Sequence, residues 1–368
     1  MDQELVKEAD APSAIPGLSR RDFLGYCAKI AGLIGLSEMA APQIAEAVEK
    51  APRPSLVWLD FQACTGCTVS LAQNVSPGPA ELILNVLSLD YQKTLMAAAG
   101  DAAVKSYEDA VAKDGFFLVI EGAIPTKIPM AALHDGKPAV DVVKAAAPKA
   151  TAVIAMGNCA AYGGVQAADP NPTGAGGVMD FFKKEGIDKP VIAIPTCPGN
   201  ADMMVAALVY FLFLGKLPQL DAVNRPVFLY GETIHDNCER RGHFENGEFV
   251  EKFGDKGEAL GWCLFKVGCK GPNTHAPCSK LRWNNRMSWC VAVGPCIGCA
   301  EPGFWDDFAP FYEQLPGVAV GMAGLSADTV GKVLGGAAVV GLGAHFVGQA
   351  ATGRLGKGGP PEDEGKVS

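Results

Sequence analysis

Positive charge is scarce in this chain. Its 31 lysines and arginines are outnumbered by 40 acidic residues, for a formal charge of −9. The basic face that phosphate recognition requires is therefore missing, and nucleic acid is excluded as a partner. Charge of either sign is sparse too, 19% in a chain that is 49% hydrophobic, whereas a disordered chain has the opposite balance. Nor can the weakly apolar stretch Tyr26 to Leu36 cross a bilayer, because a spanning helix needs about 20 residues. What the chain has in quantity is glycine (44) and, unusually for its 368 residues, twelve cysteines. That length is enough to bury a substantial core and to form two domains.

The N-terminus reads as an address. Ser19-Arg20-Arg21-Asp22-Phe23-Leu24 has the form of a twin-arginine signal, and Ala45-Glu46-Ala47 offers small residues for cleavage. Residues 1–47 are thus expected to be an export peptide, the competing reading being an amphipathic first helix with a chance arginine pair. The twin-arginine route carries folded proteins, which suits a chain that receives a cofactor before export.

Cys27 falls in that segment. Eleven cysteines remain, in Gly/Pro-rich turns and at short spacings: Cys64, Cys67, Cys159, Cys197, Cys238, Cys263, Cys269, Cys278, Cys290, Cys296 and Cys299. An odd number in a chain this long speaks against a disulfide scaffold. Adding His235, from "HDNC", gives twelve ligands, or three sets of four. Thiolates with one imidazole suit iron–sulfur clusters. Zinc takes the same ligands but is normally held by paired C-x-x-C knuckles in small units. The spacing favours clusters over zinc, and zinc over disulfides.

Residues 55–215 alternate between strand and helix. Strands are expected at Ser55–Phe61, Phe116–Glu121, Thr151–Met156 and Val191–Ile194, and helices at Asp101–Lys113, Val140–Ala147, Gly177–Glu185 and Ala201–Leu214. Leu82–Tyr91 fits either period. Continuous Val/Ile/Leu strands alternating with helices indicate an α/β fold, a parallel sheet covered on both faces. Cys64 and Cys67 follow the first strand, Cys159 and Cys197 two later ones. Carboxyl ends of strands are where open α/β sheets build ligand sites, so the four can converge as one thiolate site. Gly66, Gly157, Gly163, Gly164 and Gly199 would let backbone approach a bulky inorganic core. A helix starting near Cys67 would aim its positive end at it. A thioredoxin-like thiol pair is the alternative for Cys64 and Cys67, weakened by the lack of a Trp-Cys start and of a recognisable cis-proline context.

Beyond Pro218 apolar runs are few, and residues 231–310 are rich in Gly, Pro, Asn and Cys. Such irregular backbone needs ordering by bound groups. Trp262, Trp283 and Trp289 are expected to shield those groups and pack the small domain.

In order from Pro54 to Asp307 the chain carries "CTGC", "EGAIP", "GNCAAYGG", "PTCPGN", "IHDNC", "GCKGP" and "PCIGC". This set resembles the small, electron-transferring subunit of periplasmic nickel–iron hydrogenases. The resemblance implies a flavodoxin-like domain (residues 52–215) whose Cys64, Cys67, Cys159 and Cys197 hold a proximal 4Fe–4S cluster. It implies a mostly irregular iron–sulfur domain (216–315) with a distal 4Fe–4S cluster on His235, Cys238, Cys263 and Cys269. It also implies a heterodimeric partner, the large subunit, which carries the nickel–iron centre; this chain has no catalytic residue of its own. Many relatives bind a 3Fe–4S medial cluster through three cysteines with a proline near the open corner. Here Cys290 joins Cys278, Cys296 and Cys299, as in nickel–iron–selenium relatives, so a medial 4Fe–4S cluster of lower potential is expected. Oxygen-tolerant relatives carry extra cysteines where this chain has Gly66 and Gly164, which implies an ordinary proximal cubane and oxygen sensitivity. Glu121 borders the large-subunit interface in the family; proton exit and a plain solvated turn carboxylate are both open.

From Val333 to Thr352 no acidic or basic residue occurs, and Arg354 and Lys357 follow. Twenty helical residues match a bilayer core, and the flanking charge fits a cytoplasmic end. Residues 330–354 are expected to be a membrane helix on the periplasmic side of the cytoplasmic membrane, with 355–368 a polar tail. Gly331, Gly335, Gly336 and Gly343 would allow a partner helix close approach. The electron acceptor would then be a membrane or periplasmic protein (a cytochrome b, quinone-linked or ferredoxin-like), and His345 either a haem ligand or a polar contact. An exported multi-cluster carrier serving another oxidoreductase is the competing function.

Overall fold

Short runs of Val, Ile, Leu and Ala build five strands: β1 (Ser55–Asp60), β2 (Ser88–Gln92), β3 (Phe117–Glu121), β4 (Ala152–Met156) and β5 (Val191–Ile194). The computed structural model describes residues 20–33, 36–50, 53–74, 78, 87–282, 290–315, 319–320 and 325–352. All five strands are parallel, in the order β2-β1-β3-β4-β5. This is the flavodoxin-like order. Every strand boundary lies within a residue of its sequence expectation, and of the ambiguous stretch residues 88–91 fall in β2, while 82–86 lie outside the described residues.

Alternation sends side chains to two cores. Leu56, Trp58, Phe117, Val119, Ile154, Met156 and Ile194 face one layer, Val57, Leu59, Leu118, Ile120, Val153 and Ala193 the other. The second layer is covered by α4 (Asp101–Ala112), α5 (Ala139–Ala146), which presents Val142 and Val143, and α7 (Val178–Glu185), which presents Phe181 and Phe182. The first layer receives α8 (Ala201–Leu214) and two N-terminal helices, α1 (Arg20–Leu33) and α2 (Ala41–Lys50). Two short helices start at the carboxyl edge of the sheet: α3 (Gly66–Ala72) after β1, and α6 (Gly157–Tyr162) after β4.

Register positions the site. Asp60 pairs with Glu121, Glu121 with Met156, and Met156 with Ile194. The four strands therefore end level, and Cys64, Cys159 and Cys197 follow within three or four residues of that row.

From 216 to 314 the described helices are only three to five residues long. Packing there is thin: Val250, Leu264 and Val267 with Trp262 form a small cluster, and Phe244 meets Phe249 and Phe265 edge-on. Arg240 ties the loops, donating to the carbonyls of Trp262 at 2.7 Å, Ala292 at 3.0 Å and Val291 at 2.5 Å. Trp283 and Trp289 lie outside the described residues.

Residues 1–314 form one unit and 315–368 a second. In the second, Ala319–Val320 pairs antiparallel with Leu325–Ser326, leading into a 25-residue helix, α9 (Ala327–Ala351). Its segment Lys332–Ala351 has a mean hydropathy of 1.4 and none of it is buried, so it is long and apolar enough to cross a bilayer. Arg354, Lys357 and the polar tail lie outside the described residues.

Candidate metal-cluster sites

The first site is assembled by strand ends. Thr65, in the left-handed region at φ 64°, turns the chain from β1 into α3 between Cys64 and Cys67. Gly157 starts α6 at φ +80°, and a Cβ there would stand 2.4 Å from Cys67 Sγ. Gly164, at φ +60°, would likewise meet Cys159 Sγ at 2.5 Å. Glycine is thus required on two sides of one sulfur group. Cys159 and Cys197 lie close enough to Cys67 to raise its pKa, and Cys64 close enough to Cys159 and Cys197 to raise theirs. The Gly199 N–H donates to Cys67 Sγ at 3.2 Å. Cys64 is exposed, so this site opens at the surface.

The second site is a cavity. His235, Cys238, Cys263 and Cys269 all line it, with Ile234, Phe265 and Val291 among the apolar walls. The Arg240 N–H donates to Cys238 Sγ at 3.4 Å. His235 packs edge-on against Phe244 at 4.6 Å, and burial lowers its pKa. That favours the neutral imidazole, the form that binds metal. The third set is Cys278, Cys290, Cys296 and Cys299. Cys290 contacts both Cys278 and Cys296, and Cys299 lies near enough to feel Cys290 and Cys296. The Gly298 N–H donates to Cys296 Sγ at 3.4 Å.

Chemically, these groupings suit inorganic clusters. No cysteine is in a disulfide. Burial raises Cys159 up to about 12 and Cys269 up to about 11, so without metal these two hold their protons at neutral pH. Ionising so many buried thiols requires compensating positive charge, which coordinated iron supplies. Many thiolates with one imidazole are the donor set that iron–sulfur clusters take.

Two contacts join the sets. The Cys197 N–H donates to Cys299 Sγ at 3.4 Å, and the Cys296 N–H donates to Cys269 Sγ at 3.3 Å. The three groups stand in series, the cysteines at 278–299 in the middle.

Residues 230–312 match the family of C-terminal regions of NiFe/NiFeSe hydrogenase small subunits, and residues 64–211 the family described as NADH ubiquinone oxidoreductase, 20 Kd subunit. The periplasmic [NiFe] hydrogenase small subunit 1 of Nitratidesulfovibrio vulgaris is 46% identical over 304 residues, 81% of this chain and 94% of that one. The chain belongs to the NiFe hydrogenase small-subunit family. A second relative, the quinone-reactive Ni/Fe-hydrogenase small chain of Wolinella succinogenes, is 41% identical over 343 residues, covering 90% of this chain and 96% of its own. Among solved structures, a reduced, active form of the Ni-Fe-Se hydrogenase from Desulfomicrobium baculatum aligns at TM-score 0.67 and 39% identity, over 72% of this chain and all of that one.

Three expectations drawn from the sequence of this hydrogenase small subunit are corrected by its structure. Glu121 is not a solvated turn carboxylate: it is 2% exposed. Its Oε1 accepts from the Cys67 N–H at 3.0 Å, and its Oε2 accepts from the Thr68 N–H at 3.2 Å, the Thr68 hydroxyl at 2.6 Å and the Trp58 indole at 3.1 Å. Consequently the Cys67 and Thr68 N–H groups at the start of α3 are not free to face a cluster, because Glu121 takes them. Third, a cis-proline does accompany the C-x-x-C pair: the Cys197–Pro198 bond is cis, and a Cβ on Gly66 would lie 3.3 Å from Pro198 Cβ. The thioredoxin-like reading is set aside by Cys159 and Cys197 converging with the pair, not by the absence of proline.

Sequence reasoning also passed over Asn158 and Lys270. Asn158 donates to the carbonyls of Cys299 and Glu301 at 2.9 and 3.0 Å, clamping the middle group to α6. Lys270 is 2% exposed; its N–H donates to Cys296 O at 2.7 Å and its ammonium to Glu313 O. Its place directly after Cys269 was the available signal.

Gly157→Ala tests the first site. We expect the variant to fold yet to lose one cluster's complement of iron, leaving the other two sets filled; full iron content would refute the close approach at Cys67.

Proposed function

We propose that this small subunit relays electrons between the hydrogen-splitting nickel–iron site of a large subunit and an acceptor at the His235 end, through three 4Fe–4S clusters. The proximal cluster is held by Cys64, Cys67, Cys159 and Cys197, the medial by Cys278, Cys290, Cys296 and Cys299, and the distal by His235, Cys238, Cys263 and Cys269. The observation that carries this reading is the pair of amide-to-sulfur contacts, Cys197 to Cys299 and Cys296 to Cys269, which string the sets in one line. When bound, the clusters supply one-electron carriers, a chemistry these side chains lack.

The chain's own part is spacing and tuning. Glu121 fixes the Cys67 turn, Asn158 and Arg240 fix the loops around the middle group, and N–H groups aimed at sulfur stabilise thiolate charge. Cys290 as a fourth medial ligand agrees with likeness to a Ni-Fe-Se enzyme. Residues 1–47 serve as the twin-arginine leader. Lys332–Ala351 serves as a membrane anchor, a reading supported by the quinone-reactive relative that matches nine-tenths of the chain. In α9 the side chains of His345 and Gln349 meet at 3.1 Å, one turn apart on a face suited to a partner helix.

Isolation of the native complex tests the proposal. Iron, acid-labile sulfide and nickel should co-purify with hydrogen-dependent dye reduction from the membrane fraction, and truncation before Gly331 should move that activity to the soluble fraction. A colourless, nickel-free preparation would sink it.

A further inference from the structure

Helix α8 is apolar on every side, "ADMMVAALVYFLFL", with Asp202 its one charge. A helix of that kind must be covered all round. Phe211 packs on Phe117 of β3, ring centroids 5.2 Å apart. Tyr210 stacks on Phe228 at 5.2 Å, and Met203 Sδ lies 3.3 Å from the Tyr230 hydroxyl. The side bearing Asp202 also carries, by the helical repeat, Val205, Ala206 and Val209; all are 0–1% exposed.

The N-terminal hairpin covers that side. In α1 the buried residues are Phe23, Tyr26, Cys27, Ile30 and Ala31, and in α2 Ala41, Ile44, Ala45 and Val48. Both sets recur every three or four residues, one stripe per helix. Lys29 Nζ reaches Asp202 Oδ2 at 2.8 Å, with the Asp202 side chain 1% exposed. The fit is imperfect: among the described residues, the other Asp202 oxygen and the Tyr26 hydroxyl are buried without hydrogen-bond partners. Polar groups buried unpaired weaken a packed surface, so the hairpin is held yet displaceable. Ala45-Glu46-Ala47 lies within α2, helical and with Ala45 buried. A docked hairpin cannot present that sequence to a peptidase as extended chain.

We propose that the hairpin of residues 20–50 holds the place of the large subunit on α8, and that docking of the large subunit displaces it and so uncovers the Ala45-Glu46-Ala47 segment. This rests on the reading of residues 1–47 as a leader. Without the hairpin, α8 would show an apolar strip ending in a carboxylate, a surface that calls for an apolar partner face bearing a cation opposite Asp202. The large subunit is the partner this family pairs with. The position agrees, since α8 packs beside α3, which carries Cys67, and the proximal site opens to solvent at Cys64.

The test uses the full precursor with a photo-crosslinking residue at Val205, and in a second version at Ala206. Alone, it should crosslink to residues 20–50, and trypsin should spare Arg21 and Lys29. With the large subunit added, the crosslink should move to that subunit and both sites should become cleavable. Lys29→Glu should speed association about tenfold, equivalent to about 1.4 kcal/mol, and Lys29→Glu with Asp202→Lys should restore the slower rate. Crosslinks that stay on the hairpin in the assembled complex would overturn the proposal. Mass spectrometry of the exported protein separates the two readings: if residues 20–47 are retained, the leader reading fails and the proposal falls with it. If they are absent but Val205 and Ala206 never crosslink to the large subunit, only the proposal falls.

Discussion

Replacing Cys290 with serine should convert the medial cluster to the three-iron type. The oxidised variant should show the strong electron paramagnetic resonance signal of a 3Fe–4S centre, absent from the unaltered protein, while the proximal and distal signals persist. The reason is geometric. Cys290 sits in contact with Cys278 and Cys296, and Cys299 lies beside them, so the four would each hold one corner of the proposed cubane. Removing one thiolate would leave three, the number a three-iron cluster takes. Cluster type and net charge set reduction potential, so the medial potential should move upward, on the order of hundreds of millivolts within the range such clusters span. A strong three-iron signal in carefully prepared unaltered protein would show that Cys290 is no ligand.

Loss of the Glu121 carboxylate should disable the proximal site even though Glu121 binds no metal. Glu121→Ala leaves two backbone N–H groups, a hydroxyl and an indole N–H without their acceptor in a region with almost no exposure. The Thr68 hydroxyl also accepts from Gln92 Nε2 at 2.9 Å, so it cannot simply turn to another acceptor. Breaking a buried charged network of this kind costs about 3–5 kcal/mol. We expect a lower melting temperature, on the order of 10 °C, and proximal iron lost preferentially. Glu121→Gln should be milder. One amide oxygen can still accept three of the four bonds, leaving only the Cys67 N–H facing a donor. Unchanged proximal spectra in Glu121→Ala would reduce the carboxylate to a packing role.

Much of this was legible in the residues alone. Helix α8 was bounded to the residue by its apolar run and the glycine after it, and the strands by uninterrupted Val/Ile/Leu, because a sheet buried on both faces tolerates nothing else. The twelve candidate ligands were marked by residue type and by Gly/Pro turns, and their proposed grouping into fours by three places after strand ends and by family likeness. The environment of each ligand was not legible. Glu121 looked like a solvated turn residue because its four donors come from β1, the C-x-x-C turn and α3, 53 to 63 positions away.

The sequence by itself determined the parallel fold and the apolar terminal helix and named the candidate ligands, because side-chain chemistry and hydrophobic period are local properties. Only the tertiary structure decided which backbone amides bridge the three groups, those of Cys197 and Cys296 that reach the neighbouring sulfurs, and the packing of α1 and α2 against α8. Both depend on segments brought together from distant parts of the chain, and neither period nor composition encodes which distant backbone amide a sulfur will meet.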